Sequence, residues 1–283
     1  MKQSTIFAAS VLWRRKPASM LVTDPEIELL PDGQPGPRRF KIKTVDSDDR
    51  RRLVDQLLST RYGWRGYKEV QLPTDRSVFK FSLAAVEDEV TIGSITVSFD
   101  GGPEGLTADQ TFRDKVDELR SQGRRVCEFV RLAVDPTVGT KRVLAALFHI
   151  AYIVAHRVRR YDMLLIEVNP RHVAYYRRML GFKVVAPERP NASVNAPAVL
   201  LGVDFEYVKA QIGEFAGQPE RMSVERSLYP ASFSLHEEAA IIARMLEKQD
   251  MLDRKRAAGG AGPGPGQRPP TPPSDFYPSD ILS

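Results

Sequence analysis

Two strand-length apolar runs separated by one long helical stretch constrain this chain more than any other feature. Val126–Pro136 and Met163–Val168 read as strands, and Thr140 to about Tyr161 between them reads as a helix. Strand, helix, strand in that order demands a βαβ crossover with the two strands in one sheet. A short helix over Val173–Leu180 follows, closed by Gly181 where a left-handed cap belongs, and then strand-like Lys183–Val185. Upstream, Phe40–Ile42, Phe79–Leu83 and Val90–Phe99 read as strands, the last two as a hairpin with a bend or bulge at Gly93. A helix from Asp46 carries Leu53, Val54, Leu57 and Leu58 at helical spacing, and another within Leu106–Gln122 turns Phe112, Val116 and Leu119 inward.

The Val126–Pro136 run sets a carboxylate and a guanidinium, Glu128 and Arg131, inside an otherwise apolar strand. A lone charge in a core is costly, so these two are either partners or working groups. Strict alternation would send them to opposite faces of a sheet, yet the apolar phase itself switches. Cys127 and Phe129 share one phase, and Val130, Leu132 and Val134 share the other. One extra residue, a β-bulge near Phe129–Val130, accounts for both facts, brings Glu128 and Arg131 to one face and turns a backbone N–H toward a ligand.

At 283 residues with 42% hydrophobic content, the chain can bury one core of roughly 200 residues with appendages. The expected division is a partly flexible N-terminal extension (1–37), a core (38–204), a helical extension (205–252) and a disordered Gly/Pro-rich tail (253–283). Pro31–Pro37 reads as a linker, and Asn195–Val203 as a last strand. Helices follow over Phe205–Phe215 and Ser234–Lys248, the second opened by a Ser234/Glu237 capping box. A net charge of +5 suits an acidic partner and is too small to argue for nucleic acid. One cysteine, Cys127, excludes an intrachain disulfide and fits a reducing, cytoplasmic setting. No apolar run approaches the ~20 residues of a membrane span. Ile6–Trp13, flanked by Arg14, Arg15 and Lys16, is a floppy or docking segment, with peripheral membrane contact as the matching expectation.

The order of these elements resembles the acetyltransferase-like fold of the GNAT superfamily, an α/β fold whose mixed central sheet has splayed strands, here with a C-terminal helical extension. Within it, Arg61-Tyr62, Gly66-Tyr67, the insertion over 106–125, the Glu128–Arg131 strand, Val168–His172, Tyr175-Tyr176 and Val194–Pro197 resemble the N-acyl amino acid synthases (FeeM-like), relatives of the acyl-homoserine lactone autoinducer synthases. The resemblance spans about 40–204. It implies transfer of a long acyl chain from acyl carrier protein to the α-amine of an amino acid, with no cofactor beyond the acyl-phosphopantetheine donor and no metal. Ordinary members of the superfamily cradle a pyrophosphate with a glycine-rich loop. Here the loop over 135–142 has only Gly139, which argues against coenzyme A and suits the single phosphodiester of a carrier protein, held by Val138, Gly139, Thr140 and Lys141. A plain strand-to-helix turn is the competing reading.

Amide formation from an amine and a thioester asks for a base, donors for an oxyanion and an acid for the departing sulfur. Glu128 is the candidate base, set against a structural Glu128–Arg131 ion pair. Arg131 either orients Glu128 or binds the acceptor carboxylate, for which Arg61 is the other candidate. Tyr176, or alternatively His172, is the candidate acid. Tyr62, Tyr67, Leu132, Val134, Asn169 and Tyr175 complete the expected substrate site. His149 and His156 read as ordinary helix residues. Lys141, Arg142, Arg157, Arg159, Arg160, Arg171, Arg177 and Arg178 read as a basic cluster for an acidic carrier protein. Two alternatives stand beside this reading. One is an acyltransferase with another acceptor, such as a polyamine or the lactone route, which needs S-adenosylmethionine. The other is a non-catalytic acyl-binding or carrier-binding module.

Overall fold

A computed structural model describes residues 21–29, 35–63, 71–72, 77–137 and 140–259, with backbone alone for 21–29, 35–38 and 248–259. The elements run β1 (Leu21–Leu29), β2 (Pro35–Thr44), α1 (Asp48–Gly63), β3 (Lys80–Glu87), β4 (Val90–Phe99), α2 (Asp109–Ser121), β5 (Val126–Val134) and α3 (Lys141–Tyr152). They continue through β6 (Met163–Val168), α4 (Val173–Leu180), β7 (Lys183–Asn191), β8 (Ala196–Asp204), α5 (Phe205–Phe215) and α6 (Leu235–Gly259). The strands form one eight-stranded sheet in the order β1-β2-β3-β4-β5-β6-β8-β7. β5 and β6 are parallel across α3, as the crossover requires, while the other pairings among the described residues are antiparallel.

Alternate side chains divide the sheet into two faces. On one, Val54 and Leu58 of α1 pack with Ala84, Val86 and Ala133, and Phe112 and Val116 of α2 with Val126, Leu165 and Leu200. On the other, α3, α4 and α5 cover a larger core that includes Cys127, Phe129, Leu164 and Leu201. Each fully buried Leu, Val or Phe contributes about 1.5–3 kcal/mol, so both layers anchor the strands between them.

Four expectations change. The expected linker overlaps β2, which begins at Pro35 and pairs Pro37 with Ile27 of β1. β2 pairs with β3 only from Lys41 to Thr44, so its prolines lie where β3 asks for no donor. The helix of the crossover leaves α-geometry after Tyr152 and ends in a π-helical turn, Ile153–Val158. β7 runs on to Asn191 instead of stopping near Val185. α6 persists to Gly259, overlapping the start of the expected disordered tail; Ala257 and Ala258 favour helix where Pro has not yet entered. The caps are as read: Gly181 takes φ +77 at the end of α4. Ser234 and Glu237 exchange their capping-box bonds, Ser234 N donating to Glu237 Oε2 at 2.8 Å and Glu237 N to Ser234 Oγ at 3.3 Å.

Candidate active site

β5 and β6 pair through Val126↔Met163, Cys127↔Leu164 and Glu128↔Leu165, and the ladder ends there. The strands then diverge, opening a gap at Phe129–Val130. A bulge does bend β5, at Arg131–Leu132 and not at Phe129–Val130. Ser94 pairs with Ala133 and Thr96 with Val130, so two residues stand opposite Ile95. Arg131 takes φ +52, a left-handed conformation that a non-glycine residue rarely holds. Apolar phase dates the switch only to within a residue or two, because Val130 suits either side. The consequence is the expected one. Cys127 and Phe129 before the bulge, and Leu132 and Val134 after it, all pack on the α3 face, while Glu128 and Arg131 share the α1/α2 face.

Glu128 is fully buried. Its Oε2 accepts from the backbone N–H of Thr107 at 2.8 Å and of Ala108 at 3.4 Å, which satisfies donors at the start of α2. Its Oε1 is shielded from solvent and has no hydrogen-bond partner among the described residues. Burial, helped by the charge of Glu167 and resisted by those two N–H groups, pushes the carboxyl up to about 8. The alternative of a Glu128–Arg131 ion pair is not what the structure contains. Arg131 Nε donates to the Gln71 carbonyl at 2.7 Å, and among the described residues its terminal nitrogens make no hydrogen bond. Burial, the larger influence, lowers Arg131, against the pull of Tyr62, Glu128 and Asp55.

The sequence reading missed Glu167 and Asn191. Glu167 lies on β6 two residues past Leu165, the direct partner of Glu128, and so on the same face. Asn191 Nδ2 donates to its Oε1, while its Oε2 is shielded and has no hydrogen-bond partner among the described residues. Burial raises its carboxyl as well, against the Asn191 bond. The signal was present, because Glu167 interrupts an apolar strand just as Glu128 does.

The other expected residues divide between the two faces. Tyr62, in the last turn of α1, donates its hydroxyl to the Leu132 carbonyl at 2.9 Å and ties that helix to the bulge. Arg61 is half-buried beside it, with no hydrogen bond among the described residues. Leu132, Val134, Tyr175 and Tyr176 pack, half-buried, against the α3-side core, across the sheet from Glu128. Tyr176 meets Tyr175 and Phe182 edge-on, with ring centroids 5.4 and 6.0 Å apart. Asn169 Oδ1 accepts from Arg171 N at 3.3 Å to cap the turn after β6, and Arg171 Nε donates to His172 Nε2 at 3.2 Å. Thr140 Oγ1 accepts from Val143 N at 3.2 Å as the cap of α3, and Lys141 is exposed in its first turn. Tyr67, Val138 and Gly139 lie outside the described residues.

On the α3 face a cavity of about 30 Å³ is lined by Phe129, Phe148, Leu164, Leu180, Phe182 and Ile212. His149 also lines it and is not an ordinary helix residue. Its Nδ1 accepts from Phe233 N at 3.1 Å, so Nε2 carries the hydrogen that reaches Glu238 Oε2 at 3.2 Å. Arg157 Nη1 donates to the other oxygen of Glu238 at 2.7 Å. The expected basic cluster is therefore not one cluster. Arg157 holds α6, Arg142 bonds the Ala231 and Ser232 carbonyls, and Arg159 bonds Val78 and lies over the Phe99 ring. Lys141 and Arg159, at opposite ends of the crossover helix, are on the order of 25 Å apart along its axis.

The model of the family described as N-acyl amino acid synthase FeeM matches residues 54–204 of this chain. Among solved structures, FeeM from uncultured soil microbes, an N-acyl amino acid synthase, matches with 23% identity over 61% of this chain and 95% of its own, at a TM-score of 0.53. The homoserine lactone synthase LasI matches with 14% identity over 59% and 89%, at 0.42. An acyl-CoA N-acyltransferase from Pseudomonas aeruginosa matches with 16% identity over 58% and 97%, at 0.40. Comparison with curated proteins gives no sequence match. The matched span holds α2, Glu128, the crossover and Glu167, and so the whole gap.

Proposed function

From membership of the FeeM family of N-acyl amino acid synthases, to which this GNAT-fold acyltransferase belongs, we propose that the chain moves a long acyl group from acyl carrier protein to the α-amine of an amino acid. The observation that carries the reading is Glu128 at the edge of the β5/β6 gap, buried, with one oxygen unpartnered and its carboxyl raised to about 8. A base near the working pH both accepts and returns a proton readily.

The thioester carbonyl sits in the gap, its acyl chain entering the α3-face cavity and the amine approaching from the α1/α2 face. Phe129 and Leu164 open the acyl path, and a long chain widens the small cavity as it enters. Arg131 takes the acceptor carboxylate on its terminal nitrogens. Glu128, directly or through one water, takes a proton from the ammonium. The amine nitrogen bonds to the carbonyl carbon, a second proton leaves nitrogen for water, from which the acid that protonates sulfur is later restored, and the carbon–sulfur bond breaks with its electrons going to sulfur. Tyr176, on the opposite face, protonates that sulfur, and His172 is set aside because Arg171 already occupies one of its ring nitrogens. The first turn of α3, with Thr140 and Lys141, receives the phosphodiester. No helix among the described residues is long and apolar enough to cross a membrane, and a carrier-protein donor with a single buried thiol suits the cytoplasm.

The test is turnover of the full chain with long-chain acyl carrier protein and, separately, acyl-coenzyme A, against a pool of amino acids, read by mass spectrometry with a Glu128→Gln control. An N-acyl amino acid from the carrier donor that disappears in the control is the expected result. Product from coenzyme A alone removes the donor assignment, a requirement for S-adenosylmethionine moves the chain to the lactone route, and the absence of any product removes the reading.

A further inference from the structure

Glu167 has no part in the reaction as drawn above, yet its chemistry is tied to that of Glu128. The two carboxyls rise from one face of adjacent strands at the point where the ladder ends. Each gives one oxygen to protein donors: Glu128 Oε2 to the amides of Thr107 and Ala108, and Glu167 Oε1 to Asn191 Nδ2. Each keeps its other oxygen shielded and, among the described residues, unpartnered. Two such acceptors side by side are poorly served if both acids ionise, since like charges repel and neither is solvated. A single proton resolves this, because a protonated carboxyl is a donor while its neighbour remains an acceptor.

We propose that Glu128 and Glu167 form an acid pair that shares one proton at rest and, once that proton has left, takes one from the acceptor's ammonium. Glu167 is the positioning residue of the pair, setting the proton affinity of Glu128, and Asn191 fixes Glu167. The pair's role in catalysis rests on the amine-acylation reading, but its existence does not. Of the two protons that nitrogen loses, one ends on the departing sulfur and one goes to solvent. A pair that has given up its resting proton regains one from the ammonium and returns it to solvent before the next turnover.

The surrounding charges leave this coupling in control. Asp109 of α2 faces Glu128 but is itself held by Arg120 at 2.7 and 2.8 Å. Arg189 of β7 is committed to Asp114 of α2 at 2.5 and 2.9 Å. Arg131 lies on the same face without an ion pair to either acid, and Cys127 points to the opposite face.

The experiment is a pH titration of glutamate side-chain carboxyl carbons by NMR on the full chain without substrate. Glu128→Gln and Glu167→Gln assign the two signals. The wild-type protein should show coupled two-step titration, with the upper step near 8. In Glu167→Gln the Glu128 midpoint should fall by about one unit or more. In Asn191→Ala, which keeps both acids and removes the donor that favours ionised Glu167, the Glu167 midpoint should rise while that of Glu128 falls. The acid limb of kcat/KM should move with Glu128 in both. An unmoved Glu128 midpoint in a folded Glu167→Gln, or midpoints moving together in Asn191→Ala, overturns the pair. If Glu167→Gln does not fold, the opposed shifts in Asn191→Ala decide. Coupled titration without any N-acylated product removes only the function proposed above, whereas product with uncoupled titration removes only the pair.

Discussion

Glu128 and Glu238 are both buried glutamates, on opposite faces of one sheet, and their carboxyls are displaced in opposite directions. Burial pushes both up. For Glu238 the hydrogen bond from His149, with the charge of Arg157, outweighs it and holds the carboxyl low. For Glu128 the two backbone N–H groups are outweighed by burial and Glu167, and it stands at about 8. Partners, not depth, set the sign. Glu238 spends both oxygens on holding α6 against α3, and Glu128 keeps one in reserve. A buried acid with every acceptor answered holds structure together, and one with an acceptor left over at an opening in the sheet can do chemistry.

The sharpest way to break this contrast is to remove each carboxylate. Glu128→Gln should lower kcat/KM for N-acylation by about 10²–10⁴-fold while the protein remains folded. Its stability effect should depend on pH. Because the folded carboxyl lies above its unfolded value of 4.5, the wild-type protein loses stability as pH rises from that value toward about 8. The variant lacks that loss, so urea denaturation should favour it increasingly over this interval. Glu238→Gln should behave in the opposite way, costing about 1–3 kcal/mol near neutral pH by removing the acceptors of Arg157 and His149. Its folded carboxyl lies below 4.5, so the wild-type advantage should persist above that value and fade as acid protonates Glu238.

Smaller effects separate the two faces further. Arg131→Lys should raise KM for the amino acid by about tenfold or more with kcat little changed, since a point charge replaces a planar fork. Ala145→Phe, at a residue that also lines the α3-face cavity, should lower kcat/KM for long acyl donors by about tenfold and spare short ones. Steady-state kinetics across a series of acceptors and acyl lengths measures both.

The crossover, α5, the capping box of α6 and the buried charge of Glu128 were legible because each is local: a period, a cap or a charge in an apolar run. The place of the bulge was not, because Val130 is apolar and fits either register. Glu167 interrupts an apolar run as Glu128 does, but near the end of its strand an acid also reads as the approach of a loop, and its Asn191 partner is 24 residues away. The pairing of His149 with Glu238 spans 89 residues and depends on where α6 comes to rest, which no helical pattern encodes. The basic residues misled for the converse reason. Closeness in sequence suggested a patch, whereas the length of the crossover helix and the carbonyls around Arg142 and Arg159 disperse it.

The pH dependence of kcat/KM for N-acyl amino acid formation, measured on the wild-type protein and Glu128→Gln with long-chain acyl carrier protein, tests the central claim most directly. The wild-type rate should rise through an apparent pKa near 8, and the variant should lack both that step and most of the activity. A folded Glu128→Gln variant that turns over at the wild-type rate with the same pH profile would contradict the assignment of Glu128 as the base.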